Sequence, residues 1–250
     1  MSALPYVFSV LFGLVIGSFL NVVVFRLPRH ESLVKPGSHC PTCGSTIRWY
    51  DNIPLVSWLI LRAQCRDCRG RISVRYPLVE ALTGLSFGLA AWRFGVRWEL
   101  ALAFVFLAVL IVVALIDYDH MVIPSVVTLP AAAIGLGGSI ALRPEKWWVY
   151  VAAAGGGARF CLLLALFWPG GGMGGGDVTM ALVAGAFLGA STIVAFFLAF
   201  LVGTLVALYL LAVLKRSRKT KVPFGPFLAF GSCAALFAGE PLLAAYLDLW

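Results

Sequence analysis

Long apolar stretches constrain this chain more than any other feature of its sequence. A helix needs about 20 apolar residues to cross the hydrocarbon core of a bilayer. Eight stretches reach or approach that length: 5–25, 77–94, 99–116, 125–142, 147–168, 178–189, 192–214 and 225–247. Only 12% of the residues are charged, against about 25% in soluble domains. The sequence therefore predicts an all-α polytopic membrane protein with about eight transmembrane helices.

Basic residues predict how these helices are oriented, because Lys and Arg in short loops stay on the cytoplasmic side. Segment 26–76 holds nine of the 19 Lys and Arg residues, and Lys215–Lys221 holds five more. With eight helices, both segments lie on the same, cytoplasmic face. The chain then divides into transmembrane helix 1–25, a cytoplasmic insert 26–76 and a transmembrane domain 77–250.

The net charge of +8 is compatible with two kinds of partner. Nucleic acid binds basic surfaces, but basic loops also orient membrane proteins and attract anionic lipids. In a chain this apolar, the charge predicts contact with membrane lipids and no nucleic-acid partner.

Four of the six cysteines form two CxxC pairs within the insert. The pairs are Cys40 with Cys43 and Cys65 with Cys68, and 21 residues separate them. This separation is one residue beyond the range of about 15–20 that is common in four-cysteine zinc sites. Disulfides are the alternative, but a reducing cytoplasm disfavours them. The pattern therefore predicts a zinc-ribbon-like insert with one structural zinc ion held by four thiolates.

Two aspartates border apolar stretches, where a carboxylate is costly and suggests a functional site. Asp117 directly follows the third stretch, and Asp177 follows a glycine-rich segment, 170–176. Both lie on the cytoplasmic side in the predicted topology. Two carboxyl groups that share a proton can hydrolyse a peptide, since one activates water while the other polarises the carbonyl. The residues alone fit equally well a helix cap at Asp177 and a solvated helix end at Asp117.

Several blocks of the sequence carry a resemblance that extends almost from end to end. They are GSFLNVVVFRLPR (17–29), the two CxxC pairs, YDNIPLVSWLILR (50–62), ISVRYPLVEALTG (72–84), IDYDHMVIP (116–124), GGGD (174–177) and VPFGPFLAFG (222–231). In this order they resemble the prepilin leader peptidase family, the GxGD-type aspartic peptidases of type IV pilus and type II secretion systems. The resemblance implies a bacterial inner-membrane enzyme that removes a short basic leader from type IV pilin-like precursors, after a glycine, at the cytoplasmic face.

The resemblance also assigns roles to individual residues. The family's catalytic aspartates fall on Asp117 and Asp177, and its metal-binding cysteines on the two CxxC pairs. Asp119 is interpreted as a supporting neighbour. Gly174 and Gly176 are interpreted as supporting residues, because glycine permits extended or positive-φ backbone beside an incoming peptide.

The chain departs from the family pattern near the second aspartate. Gly170 and Gly171 stand where Lys and Glu are common, and Thr179 stands where Lys is common. These departures leave the acid pair intact but bear on rate and substrate preference.

Many members of the family also methylate the new N-terminus with S-adenosylmethionine. The sequence does not identify residues that bind this methyl donor. The segment 50–54 is either a contributor or a turn packed against the ribbon.

Three alternatives stay open at this point: a peptidase without methyltransferase activity, a small transporter whose acids mark an ion pathway, and a non-enzymatic zinc-ribbon adaptor. Replacement of both aspartates distinguishes them, since only a peptidase loses cleavage while it still folds and binds zinc.

Overall fold

The computed structural model describes residues 3–167, 173–215 and 222–248, and this part of the chain contains nine α-helices and no β-strand. The helices are α1 (Leu4–Arg26), α2 (Val56–Ile60), α3 (Arg75–Phe94), α4 (Trp98–His120), α5 (Ser125–Leu142), α6 (Trp147–Phe167), α7 (Gly175–Leu188), α8 (Thr192–Ala212) and α9 (Gly225–Leu247). Apart from the short α2, each corresponds to one of the eight apolar stretches. The predicted all-α membrane fold is confirmed.

The number of helical segments that are long and apolar enough to cross a bilayer differs from the prediction. Within the described residues, six helical segments, rather than eight, are long and apolar enough to cross a bilayer. One of them, Gly175–Ala212, is 38 residues long, because a single 3-10 turn at Gly189–Ser191 joins α7 to α8. The other difference is α3, which is not among the six segments. It is less apolar than its neighbours because it contains hydroxyl residues and charged residues, among them Arg75 and Glu80.

The chain forms two compact units, Met1–Leu100 and Ala101–Trp250. In the first unit, α1 packs along α3, and glycines let the two backbones approach closely. A Cβ at Gly13 would lie 2.8 Å from the Gly84 Cα, and a Cβ at Gly17 would lie 2.8 Å from the Glu80 Cα. Small residues four positions apart share one face of a helix and permit this kind of contact between membrane helices.

Buried polar groups tie the insert to these two helices. Glu80 of α3 is buried, and its Oε2 accepts the N–H of Leu55 from the insert at 2.8 Å. Arg26, at the end of α1, is also buried and donates from Nη1 to the Ser32 carbonyl at 2.9 Å. A buried charge is costly unless it is hydrogen-bonded, so these contacts fix where the insert leaves α1 and where it meets α3.

The second unit has a hydrophobic core built from α4, α5, α7, α8 and α9. Phe106 of α4 stacks on Phe187 of α7 with ring centroids 4.7 Å apart. Gly185 of α7 allows close contact with α6, because a Cβ there would overlap the backbone of Ala153 and Ala154. The helices alternate in direction, so the ends of α4, α6 and α8 and the starts of α5, α7 and α9 lie at the same end of this unit.

We expect Gly185→Ala to destabilise the second unit, because the added methyl group meets the α6 backbone, which cannot rotate away as a side chain can. Overpacking of this kind costs about 1–3 kcal/mol. Gly155→Ala, on α6, is the matched control, since nothing lies within 4 Å of a Cβ at that position. Thermal unfolding in detergent, followed by circular dichroism, should give a lower Tm for Gly185→Ala than for Gly155→Ala. Equal Tm values would contradict this packing.

Candidate active site and metal centre

Asp117 lies in the last turn of α4 and is buried, with 6% of its surface exposed. Its Oδ2 accepts the backbone N–H of Gly225, the first residue of α9, at 2.7 Å. This hydrogen bond joins residues that are 108 positions apart in the sequence. Asp117 is therefore not the solvated helix-end acid that the residues alone also allowed.

Asp177 is the third residue of α7 and is equally buried. Its Oδ2 accepts the N–H of Gly174, the residue before the helix, at 2.8 Å. The carboxylate thus caps α7, as one of the two sequence interpretations expected. A cap can form at a fully exposed helix start, so capping does not account for the burial of this side chain.

The two carboxyl groups lie within electrostatic range of each other. Each accepts a hydrogen bond from backbone at the start of a helix, Asp117 from α9 and Asp177 from the residue that precedes α7. Helix N-termini favour negative charge because their N–H groups lack intrahelical partners. The second unit thereby gathers two buried acids and two anion-stabilising helix starts at one end.

The glycine segment before Asp177 is shorter than the sequence indicated. α7 begins at Gly175, so Gly175 and Gly176 are helical, whereas the predicted helix began at residue 178. The helix cap explains this earlier start. When α7 begins at Gly175, Asp177 is its third residue, the position from which its side chain can accept the N–H of Gly174. Gly174 is extended, with φ −111° and ψ 172°, and none of the described glycines 174–176 has a positive φ. Gly170 and Gly171 lie outside the described residues.

Gly176 contributes through packing. A Cβ there would lie 2.6 Å from the Ile123 Cβ, so its lack of a side chain lets the α4–α5 connection approach the first turn of α7. Asp119 is exposed on the final turn of α4, and its side chain is therefore not part of the buried pair.

Two residues that the sequence analysis left without a role contact this site. One is Gly225, described above, which lies in the block VPFGPFLAFG. The other is Thr128 of α5, which is fully buried and donates to the Thr179 hydroxyl at 2.9 Å. Thr179 in turn donates to the Gly176 carbonyl at 2.9 Å. A hydroxyl pair thus links α5 to the first turn of α7.

The four cysteines of the insert converge. Their Sγ atoms all lie within 4.8 Å of one another, and the Sγ atoms of Cys40 and Cys68 are 3.8 Å apart. Sulfur ligands about 2.3 Å from a tetrahedral zinc ion are separated by about 3.8 Å. The cluster therefore fits a metal ion, as the two CxxC pairs indicated.

The two CxxC turns share one backbone design. The N–H of Cys40 donates to the Ser45 carbonyl, and the N–H of Cys65 donates to the equivalent Gly70 carbonyl. Residues four positions after the first cysteine of each pair, Gly44 and Arg69, have positive φ. This repeat lets each turn direct two thiols to the same point.

Charge within the cluster also favours a cation. Backbone N–H groups of Cys43 and Thr42 lower the pKa of Cys40 to about 6. The pKa of Cys68 is raised to about 12. The Gly70 N–H lowers this pKa, but the neighbouring thiols, Cys43 first, together with burial raise it by more. A divalent metal would favour the thiolate form of all four cysteines.

An ion pair joins the segment 50–54 to the second CxxC turn. Asp51 accepts from Nε of Arg66 at 2.8 Å and from its Nη2 at 2.6 Å. These hydrogen bonds lower the pKa of Asp51. Since Arg66 lies between Cys65 and Cys68, the contact is that of a turn packed against the ribbon, one of the two roles that the sequence allowed for 50–54.

A cavity of about 560 Å³ lies in the first unit between α1 and the insert. Its lining combines apolar groups of Phe19 and Ile53 with polar groups of Ser18, Arg26 and Asn52. This volume is within the range of about 300–1,000 Å³ that is usual for small-molecule sites.

Comparison with known proteins gives consistent matches along the chain. Residues 11–94 match the bacterial peptidase A24 N-terminal domain, and residues 104–208 match the type IV leader peptidase family. The prepilin leader peptidase/N-methyltransferase of Pseudomonas aeruginosa is 34% identical over 96% of this chain and 92% of its own length. The protein of that name in Bacillus subtilis is 32% identical over 96% of both chains.

A third relative has higher identity over a shorter region. The prepilin leader peptidase/N-methyltransferase of Myxococcus xanthus is 50% identical over 142 residues, which cover 54% of this chain and 42% of that protein. No solved structure matches the chain. The matches nevertheless span both units, and two full-length relatives exceed 30% identity. The chain therefore belongs to the type IV leader peptidase family, which confirms the predicted family and enzyme class.

Proposed function

We propose that this chain is a membrane aspartic endopeptidase that removes the leader peptide of type IV pilin-like precursors, with Asp117 and Asp177 as the catalytic pair. The observation that carries the assignment of residues is their geometry. Two carboxyl groups from different helices are buried within electrostatic range, and each receives one backbone N–H.

The pair operates with one shared proton. Two like charges within electrostatic range of each other in a poorly solvated site disfavour double ionisation, so one acid stays protonated, and the proton belongs to the pair rather than to either residue. The ionised acid takes a proton from water, which attacks the carbonyl carbon of the scissile bond. The protonated acid donates its proton to the developing oxyanion. Collapse of the tetrahedral intermediate breaks the C–N bond, and the departing amine takes up a proton from the pair.

The rival functions account for less of this geometry. A transporter site needs acids near the middle of the bilayer, whereas Asp117 and Asp177 lie within one turn of helix ends. An adaptor needs neither acid. Burial of both acids would then destabilise the protein without serving its function, since a buried carboxylate stabilises a fold only when it is well paired.

We also propose that the chain resides in the bacterial inner membrane with the acid pair at the cytoplasmic side. The support is the distribution of basic residues, which concentrate in 26–76 and in the segment that begins at Lys215. A short basic leader that stays in the cytoplasm reaches the acids from this side.

The four-cysteine cluster is proposed to hold zinc in a structural role. Four protein thiolates complete a tetrahedral site and leave no open position for a reacting water. The metal would stabilise an insert that has only short helices and two isolated β-bridges of its own.

N-methylation of the new N-terminus is proposed as a second step. The relatives described above bear the name of both activities, and S-adenosylmethionine would supply the methyl group.

We expect Asp117→Asn and Asp177→Asn each to abolish cleavage, because an amide neither activates water nor shares the proton. Loss of an acid–base group costs about 10²–10⁴-fold. Asp119→Asn should lose much less, since Asp119 is exposed and outside the buried pair. The assay is incubation of purified protein with a prepilin and S-adenosylmethionine, read by intact mass, which scores leader removal and methyl transfer separately. Full turnover by folded Asp177→Asn would disprove the mechanism.

We expect Cys43→Ser and Cys68→Ser to lower zinc content and thermal stability together, because a serine hydroxyl is a poor zinc ligand at neutral pH and leaves the site incomplete. Cys233→Ser is the control, since Cys233 lies in α9 outside the cluster. Metal content is measured by plasma mass spectrometry and Tm by thermal unfolding. Retention of a full zinc equivalent in both cluster variants would refute the assignment.

Gly174→Val tests whether the backbone before Asp177 must accommodate the peptide substrate. Among the residues that the structure describes, none lies within 4 Å of a Cβ at this position, so we expect valine to be accommodated while its branched side chain occupies space beside the acids. We expect cleavage to fall with zinc content and membrane insertion unchanged. Gly176→Val should lose cleavage too, but with lower stability, because its side chain meets Ile123. Gly137→Val, an open position in α5, is the control. Normal cleavage by both Gly174→Val and Gly176→Val would make this segment only a linker.

A further inference from the structure

The first residue of α9 touches one of the two proposed catalytic acids directly. The Gly225 N–H donates to the Asp117 Oδ2 at 2.7 Å in a buried hydrogen bond. A Cβ at position 225 would lie 2.6 Å from that oxygen and 2.9 Å from the Asp117 Cβ. Contacts below 3.0 Å force a shift, so any side chain at 225 must displace the carboxyl group, lengthen the hydrogen bond or move α9.

The first turn of α9 offers Asp117 one N–H and no competing donor. The first N–H groups of a helix have no partner inside it. Pro226 has no N–H at all, and the N–H groups of Phe227 and Leu228 both donate to the Phe224 carbonyl at 3.0 Å. Within this turn, the Gly225 N–H is thus the group that donates a hydrogen bond to another helix, and the acceptor is the Asp117 carboxylate.

Aromatic packing holds the start of α9 in place. The ring of Phe224 lies 5.1 Å from that of Phe200 of α8, measured between centroids. Phe200 in turn contacts Phe196 of α8, at 6.3 Å, and Phe160 of α6, at 6.1 Å. Ring pairs at such distances add specific orientation to their hydrophobic burial. Side chains of α6, α8 and the residue that precedes α9 therefore fix the position from which Gly225 donates.

We propose that Gly225 is a positioning residue for Asp117, a role that rests on the proposed function. Its N–H fixes one carboxylate oxygen, which sets the direction of the other, and its missing side chain leaves the space that the carboxyl group fills. The block VPFGPFLAFG thereby gains a role. It brings α9 to the acid pair and presents one backbone donor there.

The first test is Gly225→Ala, assayed with a purified prepilin for kcat and KM. The methyl group displaces the Asp117 carboxyl, and misplacement of a reacting group by about 1 Å can cost about 10²-fold in rate. We expect kcat to fall by about that factor with KM unchanged, because the substitution alters the acid rather than the surfaces that bind the precursor. Because a partly unfolded sample would also lower the apparent kcat without changing KM, kcat is normalised to the folded fraction of each variant.

Gly239→Ala is the matched control on the same helix. Its Cβ would lie 2.6 Å from the Ser191 Cβ, so it introduces a comparable clash far from the acids. We expect a similar loss of Tm with kcat unchanged. If Gly239→Ala lowers kcat as much as Gly225→Ala does, the effect is general destabilisation and the positioning role is wrong.

A backbone substitution separates the hydrogen bond from the clash. Replacement of Gly225 by glycolic acid changes its amide to an ester, which deletes the N–H and adds no Cβ. Loss of one hydrogen bond to a charged group corresponds to about 10–100-fold, so we expect kcat to fall by that factor with Tm little changed. This variant decides the matter if Gly225→Ala does not fold.

Asp117→Asn is included in the same assay to distinguish two kinds of failure. If Asp117→Asn is inactive while the ester variant cleaves with the kcat of the unmodified protein, the positioning role of Gly225 is refuted and the catalytic pair stands. If Asp117→Asn cleaves normally, the proposed function itself fails. The inference holds only if Asp117→Asn is inactive and the ester variant loses kcat.

Discussion

Burial of two carboxyl groups is the constraint on which the second unit depends. An ionised carboxylate inside protein costs several kcal/mol unless donors replace its water. Here the donors are backbone N–H groups, from Gly225 for Asp117 and from Gly174 for Asp177. Backbone donors hold a carboxylate without adding a positive side chain, so the negative charge stays available to react. The starts of α7 and α9 must therefore both lie beside the end of α4.

Close helix contacts make this arrangement rigid. Gly185 lets α7 press on α6, and Gly231 lets α9 press on α8, because in each case a Cβ would meet the backbone of the neighbouring helix. Contacts between backbones leave less freedom than contacts between flexible side chains, since interiors are packed to near-crystalline density. The helix starts that hold the acids are thus fixed by contacts far along the same helices.

The sequence was sufficient for the fold class and the cysteine cluster, each for an identifiable reason. Apolar length predicts helices in a membrane, and CxxC spacing predicts a shared metal because each turn directs two thiols to one point. Asp117 and Asp177 were singled out because an acid at an apolar border is unusual, and their catalytic role stays a prediction. The sequence also separates 178–189 from 192–214, but it does not show that a single 3-10 turn at Gly189–Ser191 joins them into one helical segment of 38 residues.

Residues that act through their backbone escaped detection from the sequence. Gly225 could not be assigned, because its contribution is an N–H aimed at a residue 108 positions away, and no local pattern encodes that direction. Gly176 was expected to give extended or positive-φ backbone beside an incoming peptide, whereas it is helical and allows the approach of Ile123. The same residue type therefore has two different uses within one site, both of which depend on tertiary contacts.

In the insert, by contrast, the sequence determines the local geometry of the two CxxC turns but does not by itself make the insert stable. The turns after Cys40 and Cys65 repeat the same hydrogen bonds, so each forms from its own sequence. Joining them brings four thiols to within 4.8 Å of one another. A divalent cation would link two turns that share little hydrophobic core. The buried contacts of Arg26 and Glu80 join this segment to α1 and α3. Loss of the proposed zinc ion should therefore loosen the walls of the cavity between α1 and the insert, while the acid pair, which lies in the other unit, keeps its own support.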